Sequence, residues 1–266
     1  LWNVVAAPEL SLKPIQWCFP IAGCVSYRGY YDKEDAVAYA RELRAEGNDV
    51  QIGGVPAYST LGWFNDPLIS TFINYPDAEL ARLIFHELAH QVSYVPGDSA
   101  FNESFATAVE EAGLQRWLDE VGDARLREAY ARYAARKREF LDLLQGARRQ
   151  LQHVYASGAS DDRLRERKAE IFRALKEDYA ALRQSWGGYA GYDRFFAEPL
   201  SNAHLASVAT YNDHVPGFRA LLERERTFPR FYAAVRRLAA LGKDERDERL
   251  ARLARDGQQH AGAGGD

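Results

Sequence analysis

Toward the start of the chain, apolar positions fall in short runs separated by glycine, proline and polar residues. Val4 to Ala6, Gly23 to Tyr31 and Asp49 to Gly53 have the length and alternation of strands. Glu34 to Glu46 carries apolar residues at helical spacing and stops at Gly47-Asn48, so the order predicts a β-α-β opening. The stretch Gly53 to Phe64 is bracketed by glycines, and its Pro56 favours an edge strand over a central one. An open edge can accept a peptide as an added strand, which makes Gly54, Ala57 and Tyr58 candidate substrate-binding residues.

Near residue 77 the period changes. Leu126, Tyr130, Tyr133, Phe140, Leu144, Leu151 and Tyr155 mark one long amphipathic helix or a kinked pair. Leu164, Ile171, Leu175, Tyr179, Leu182 and Trp186 mark another, and the break at Gly158-Ala159-Ser160 predicts an antiparallel helical hairpin with charged, solvated faces. The expectation is an α+β chain with one domain over residues 1–256. Within it residues 1–76 form a small sheet portion, 77–115 a pair of helices, 116–186 the hairpin and 187–256 a further helical portion. Residues 257–266, rich in glycine, are expected to be a disordered tail.

Composition narrows the function. With 266 residues, 47% hydrophobic and 27% charged, the chain can bury a core. A net charge of -4 argues against binding to nucleic acid. No apolar run is long enough to span a bilayer. The chain starts at Leu1 and has no Met, so it is read as a processed product or a fragment, whose anchor, if there was one, preceded Leu1. Cys18 and Cys24 flank Pro20 and Gly23 and can pair as a disulfide across a hairpin; two reduced, buried thiols are the alternative.

The chemistry concentrates in Leu83-Ile84-Phe85-His86-Glu87-Leu88-Ala89-His90-Gln91. On a helix capped by Asp77 and buried along Leu80, Leu83, Ile84 and Leu88, His86 and His90 lie one turn apart and can reach one zinc ion. Glu87, about 100° around the helix, can address a water on that metal. A hydrolytic zinc takes a third protein ligand and keeps an open position. Asp98 can cap a second helix with Phe101, Phe105, Ala108 and Ala112 on its inner face, and a tight Pro96-Gly97 turn can bring its Glu103 against the two histidines.

His86-Glu87-Leu88-Ala89-His90-Gln91 followed by Asn102-Glu103-Ser104-Phe105-Ala106 resembles the gluzincin metallopeptidases, whose aminopeptidase branch carries the same six residues and then N-E-G-F-A. More closely, the chain is similar to a family of predicted bacterial aminopeptidases, which shares the short spacing of twelve residues between His90 and Glu103. Cys18 to Tyr31, Gly53 to Ser70, Leu83 to Gln91, Phe101 to Glu111 and Pro199 to Asn212 carry that likeness. The resemblance implies a thermolysin-like catalytic core and one Zn2+ per chain on His86, His90 and Glu103. It also implies Glu87 as general base in the attack of metal-bound water on a peptide bond, and Thr107, one turn past Glu103, as a support for a ligand histidine. With the cysteine pair it points to the periplasm or cell envelope, through a lipid anchor outside this sequence, and to peptide or aminoacyl substrates. The alternatives are an endopeptidase or amidase, and a non-catalytic helical envelope scaffold with structural zinc or none.

Such an enzyme also needs a donor to the tetrahedral oxyanion. Tyr211 is the candidate; His204, which shares its face at i, i+7, and Tyr189 and Tyr192 are rivals. Asn102 is placed in a supporting role beside Glu103. Glu110 and Glu111, weighed as receivers of a substrate ammonium group, read as a solvated face.

Overall fold

The structure is a computed structural model that describes residues 1–19, 23–55 and 74–263. In chain order its elements are β1 (Trp2–Pro8), β2 (Trp17–Phe19), β3 (Gly23–Val25), β4 (Arg28–Tyr30), α1 (Lys33–Ala45), β5 (Asn48–Gly54), α2 (Asp77–Val92) and α3 (Ser99–Val121). There follow α4 (Ala124–Tyr155), α5 (Asp161–Ser185), α6 (Asp193–Phe196), α7 (Asn202–Asn212), α8 (Val215–Glu225), α9 (Phe228–Ala239) and α10 (Lys243–Ala263). The chain is α+β, mostly helical with a small sheet. No helix among the described residues is long and apolar enough to cross a membrane.

Where the sequence suggests one domain over residues 1–256, the chain divides into two compact units, each assembled from separate stretches. Leu1–Ile15, Tyr27–Gly54 and Ala124–Ser207 make the first; Gln16–Ser26, Val55–Asp123 and Val208–Asp266 make the second.

In the first unit β1 lies between β4 and β5 and is antiparallel to both. β4 and β5 therefore run in the same direction, joined through α1, with β1 inserted between them. The Val4-Val5-Ala6-Ala7 run of β1 is buried on both faces, which explains why it does not alternate. Asp32 caps α1 by accepting from the Glu34 amide at 2.9 Å. Helices α4 and α5 are joined by a turn in which Gly158 adopts φ +72°. The far end of α5 returns to α4, where the Trp186 indole donates to Glu139 at 2.7 Å. Asp49 accepts from Lys168 at 2.7 Å and from the Asn202 amide at 2.8 Å, fastening β5, α5 and α7 together.

The second unit is built around α3. Phe101, Phe105, Ala108 and Val109 pack with Phe218 and Leu221 of α8, Phe231 and Val235 of α9 and Leu250 of α10. Its β2-β3 hairpin pairs Cys18 with Cys24 in register, and their sulfurs are bonded.

Several sequence expectations are corrected. Gly23 to Tyr31 is not one strand: the chain bends at Ser26-Tyr27, leaving β3 in the second unit and β4 in the first. Asp77 is not the cap of α2, because Pro76 holds that position without a side-chain hydrogen bond; Asp77 and Glu79 instead set negative charge at the positive end of the helix. The expected apolar face of α2 is also displaced. Leu88 is 50% exposed and Leu83 and Ile84 are half-buried, whereas Ala89 and His90 are buried. The tail does not begin at Gly257, since α10 continues through Ala263.

Candidate active site

The site is assembled in the second unit by α2 and α3, which pack against each other along their length. Between them the chain reverses through Ser93–Asp98. Gly97 takes φ +82°, and Gly23 of the hairpin lies so close above it that a Cβ on Gly23 would fall 2.5 Å from the Gly97 nitrogen. Asn102 clamps this turn from within α3: its side-chain oxygen accepts from the Val95 amide at 2.8 Å and its NH2 donates to the Val95 carbonyl at 2.9 Å. Asp98 caps α3 by accepting from the Phe101 amide at 3.1 Å. Its other oxygen is held by the Arg246 guanidinium at 2.6 and 3.1 Å, and both side chains are buried.

This frame sets Glu103, in the second turn of α3, against the two histidines one turn apart on α2. His86 Nε2 donates to Glu103 Oε2 at 3.2 Å, and His90 Nε2 lies 3.8 Å from the same oxygen. One donor atom each from His86, His90 and Glu103 lie within 4.8 Å of one another. The rings meet edge to face with centroids 5.1 Å apart. The opposite nitrogen of His86, Nδ1, donates to Glu110 Oε2 at 3.0 Å, and the other oxygen of that carboxylate accepts from Arg82 Nη1 at 2.8 Å. His90 Nδ1 is buried with no hydrogen-bond partner among the described residues.

The two imidazoles differ sharply in electrostatics. Burial would lower the pKa of His86, but the hydrogen bonds and charges of Glu103 and Glu110 outweigh it and hold the ring up at about 10. Burial dominates at His90, where it, with the neighbouring His86, outweighs the pull of Glu103 and brings the ring to about 4. Two imidazoles and a carboxylate converging in a mostly buried recess, one imidazole neutral with an orphaned ring nitrogen, suit a divalent cation of the zinc type. The three donors found among the described residues would leave such an ion a further position to fill.

Glu87 is half-buried on α2 between the two histidines in sequence. Tyr211, near the end of α7, stacks on His86 with ring centroids 6.4 Å apart, so of the tyrosines considered as oxyanion donors it is the one brought to the ligand cluster. His204 belongs to the first unit, where its Nδ1 bonds Ser201 Oγ at 3.0 Å and its ring meets Phe195. Tyr192 stacks on Phe140 and Tyr189 lies under Arg136 in that same unit. Thr107, expected to support a ligand histidine, is buried in α3; Nδ1 of one of those histidines, His86, is held by Glu110. Gly54 ends β5; Ala57 and Tyr58 lie outside the described residues.

Glu110 is the residue the sequence reading misplaced. It is not on a solvated face but 4% exposed, engaged with His86 and Arg82. Its spacing held the signal, since Glu110 lies two turns beyond Glu103 on the same face of α3, and Arg82 lies one turn before His86 on α2. Glu111 is also committed, accepting from Arg219 at 2.6 and 2.8 Å. The model of a family described as "Putative aminopeptidase" matches residues 1–250 of this chain. No curated protein and no solved structure matches it.

Proposed function

The chain belongs to the putative aminopeptidase family, and from that premise we propose that it is a zinc-dependent peptidase with a gluzincin-type core, acting as an aminopeptidase on peptide or aminoacyl substrates. The observation that carries the metal dependence is the convergence of His86, His90 and Glu103 within 4.8 Å. Zinc held by these three side chains would supply a Lewis acid that activates water and polarises the scissile carbonyl. Glu87, next to His86 on α2, takes the proton from the attacking water at its carboxylate and returns it to the leaving amine. Tyr211, whose ring lies over His86, donates its phenolic hydrogen to the developing oxyanion. Among the described residues the cluster has three donors, which favours this reading over structural zinc, closed by four. The Cys18–Cys24 bond supports an oxidising location, the bacterial periplasm or cell envelope, and the net charge of -4 supports a partner other than nucleic acid.

The test is metal analysis of the purified protein, coupled to hydrolysis of aminoacyl amides and amino-blocked peptides with and without a chelator. We expect about one zinc per chain and cleavage of free-amine substrates that the chelator abolishes and added zinc restores. Cleavage of the blocked peptides instead would select the endopeptidase alternative. A protein that takes up no zinc would refute the reading.

A further inference from the structure

Resting on the metal reading above, we propose that Glu110 and Arg82 are positioning residues that decide which nitrogen of His86 faces the metal site and hold it there. Neither touches the reacting atoms. The argument begins with the hydrogen inventory of the groups. An ionised carboxylate can only accept, so Glu110 Oε2 at 3.0 Å from His86 Nδ1 requires the hydrogen to be on Nδ1. The nitrogen left with an exchangeable position is then Nε2, the one that faces Glu103 at 3.2 Å and lies on the side of His90. A cation held by the cluster would take the place of the Nε2 proton, while the hydrogen on Nδ1 would stay there, donated to Glu110.

Arg82 fixes Glu110 in place. Its guanidinium donates to the second carboxylate oxygen at 2.8 Å, where the Glu110 side chain is 5% exposed, so one oxygen is committed to Arg82 and the other is left aimed at His86. Arg82 is steadied in turn by Glu79, one turn earlier on α2, at 3.2 Å. The geometry also explains why the pair belongs to the site and not only to the fold. Arg82 and His86 are four residues apart on one face of α2, so a single carboxylate from α3 bridges them, and the same two helices carry all three donors. Outer carboxylates of this kind raise the basicity of a ligand imidazole and fix its rotation.

The experiment uses the full chain, stripped of metal and titrated with zinc in competition with a chromogenic chelator, for wild type, Glu110→Gln, Glu110→Ala, Arg82→Gln and, as control, Glu111→Gln. Loss of the Glu110 acceptor should weaken zinc binding by roughly 10- to 100-fold, with Ala worse than Gln, while Glu111→Gln binds as wild type does. Cobalt(II) in place of zinc gives a readout that simple destabilisation does not move: the visible bands of Glu110→Ala should shift relative to wild type, and those of Glu111→Gln should not. Should Glu110→Ala fail to fold, Glu110→Gln carries the test, because it keeps the volume and removes the charge. Wild-type affinity and an unshifted cobalt spectrum in Glu110→Gln would overturn the positioning role. A wild-type protein that binds neither ion would overturn the metal reading beneath it, so the two failures are distinguishable.

Discussion

Arg246→Met should be among the most destabilising single changes in the second unit, for electrostatic reasons. The Arg246 side chain is 4% exposed and its partner Asp98 3%, and the guanidinium gives Asp98 two hydrogen bonds at 2.6 and 3.1 Å and the Leu241 carbonyl one at 2.8 Å. Methionine keeps most of the volume but abandons a buried carboxylate, a class of change that costs about 3–5 kcal/mol. Two partners remain to Asp98, the Phe101 amide at 3.1 Å and Lys243 at 3.4 Å, so the lower end, about 3 kcal/mol, is expected. In a chain of this size that is a fall in Tm of roughly 6–12 °C. Calorimetry of wild type, Arg246→Met, Asp98→Asn and the double variant would check it. Asparagine retains the cap on α3 without the charge, so the double variant should be more stable than the sum of the single losses allows. The sign of the pH dependence follows. Burial pushes the Asp98 carboxyl up, but Arg246, the Phe101 amide and Lys243 outweigh it and hold the carboxyl below its ordinary value of 3.8. Its contribution is complete above 3.8 and is lost as pH falls through the lower folded value, so the gap between wild type and Arg246→Met should be flat at neutral pH and close in strong acid. A loss under about 1 kcal/mol at pH 7, or additive single changes, would refute the reasoning.

Glu87→Gln should keep zinc at wild-type stoichiometry while abolishing hydrolysis; metal analysis beside turnover would show it, and undiminished turnover would remove Glu87 as the base. For Tyr211→Phe, kcat should fall by about 10²–10³ with zinc retained, and an unchanged kcat would discard Tyr211 as the oxyanion donor. Gly113→Ala places a methyl 3.0 to 3.3 Å from three carbons of the Phe85 ring, at the packing of α3 on α2. Overpacking of this kind costs about 1–3 kcal/mol, against about 1 kcal/mol gained in helix propensity, so a net loss near 1 kcal/mol is expected in denaturant unfolding. A more stable variant would mean that the ring yields freely.

What could be read from the residues alone was local. His86 and His90 share one side of a helix because four residues make about one turn, and Glu103 follows closely because the glycine-bearing turn between α2 and α3 leaves the chain little room to depart. The cysteine pair, six residues apart around a turn, belongs to the same class of short-range geometry. Burial is not local, and there the reading from sequence misplaced residues. Leu88 looked inward and is half exposed, while Glu110 looked solvated and is buried, because α3 covers the face of α2 that carries His86, Ala89 and His90. A hydrophobic pattern states which residues prefer to leave water; only the packed neighbours decide which of them do, and which charges find partners good enough to follow. Tyr211 makes a related point at longer range: one of 15 tyrosines in the chain, it could be named from sequence as a candidate beside rivals, but its distance to His86 is set by the fold, which lays the two rings 6.4 Å apart.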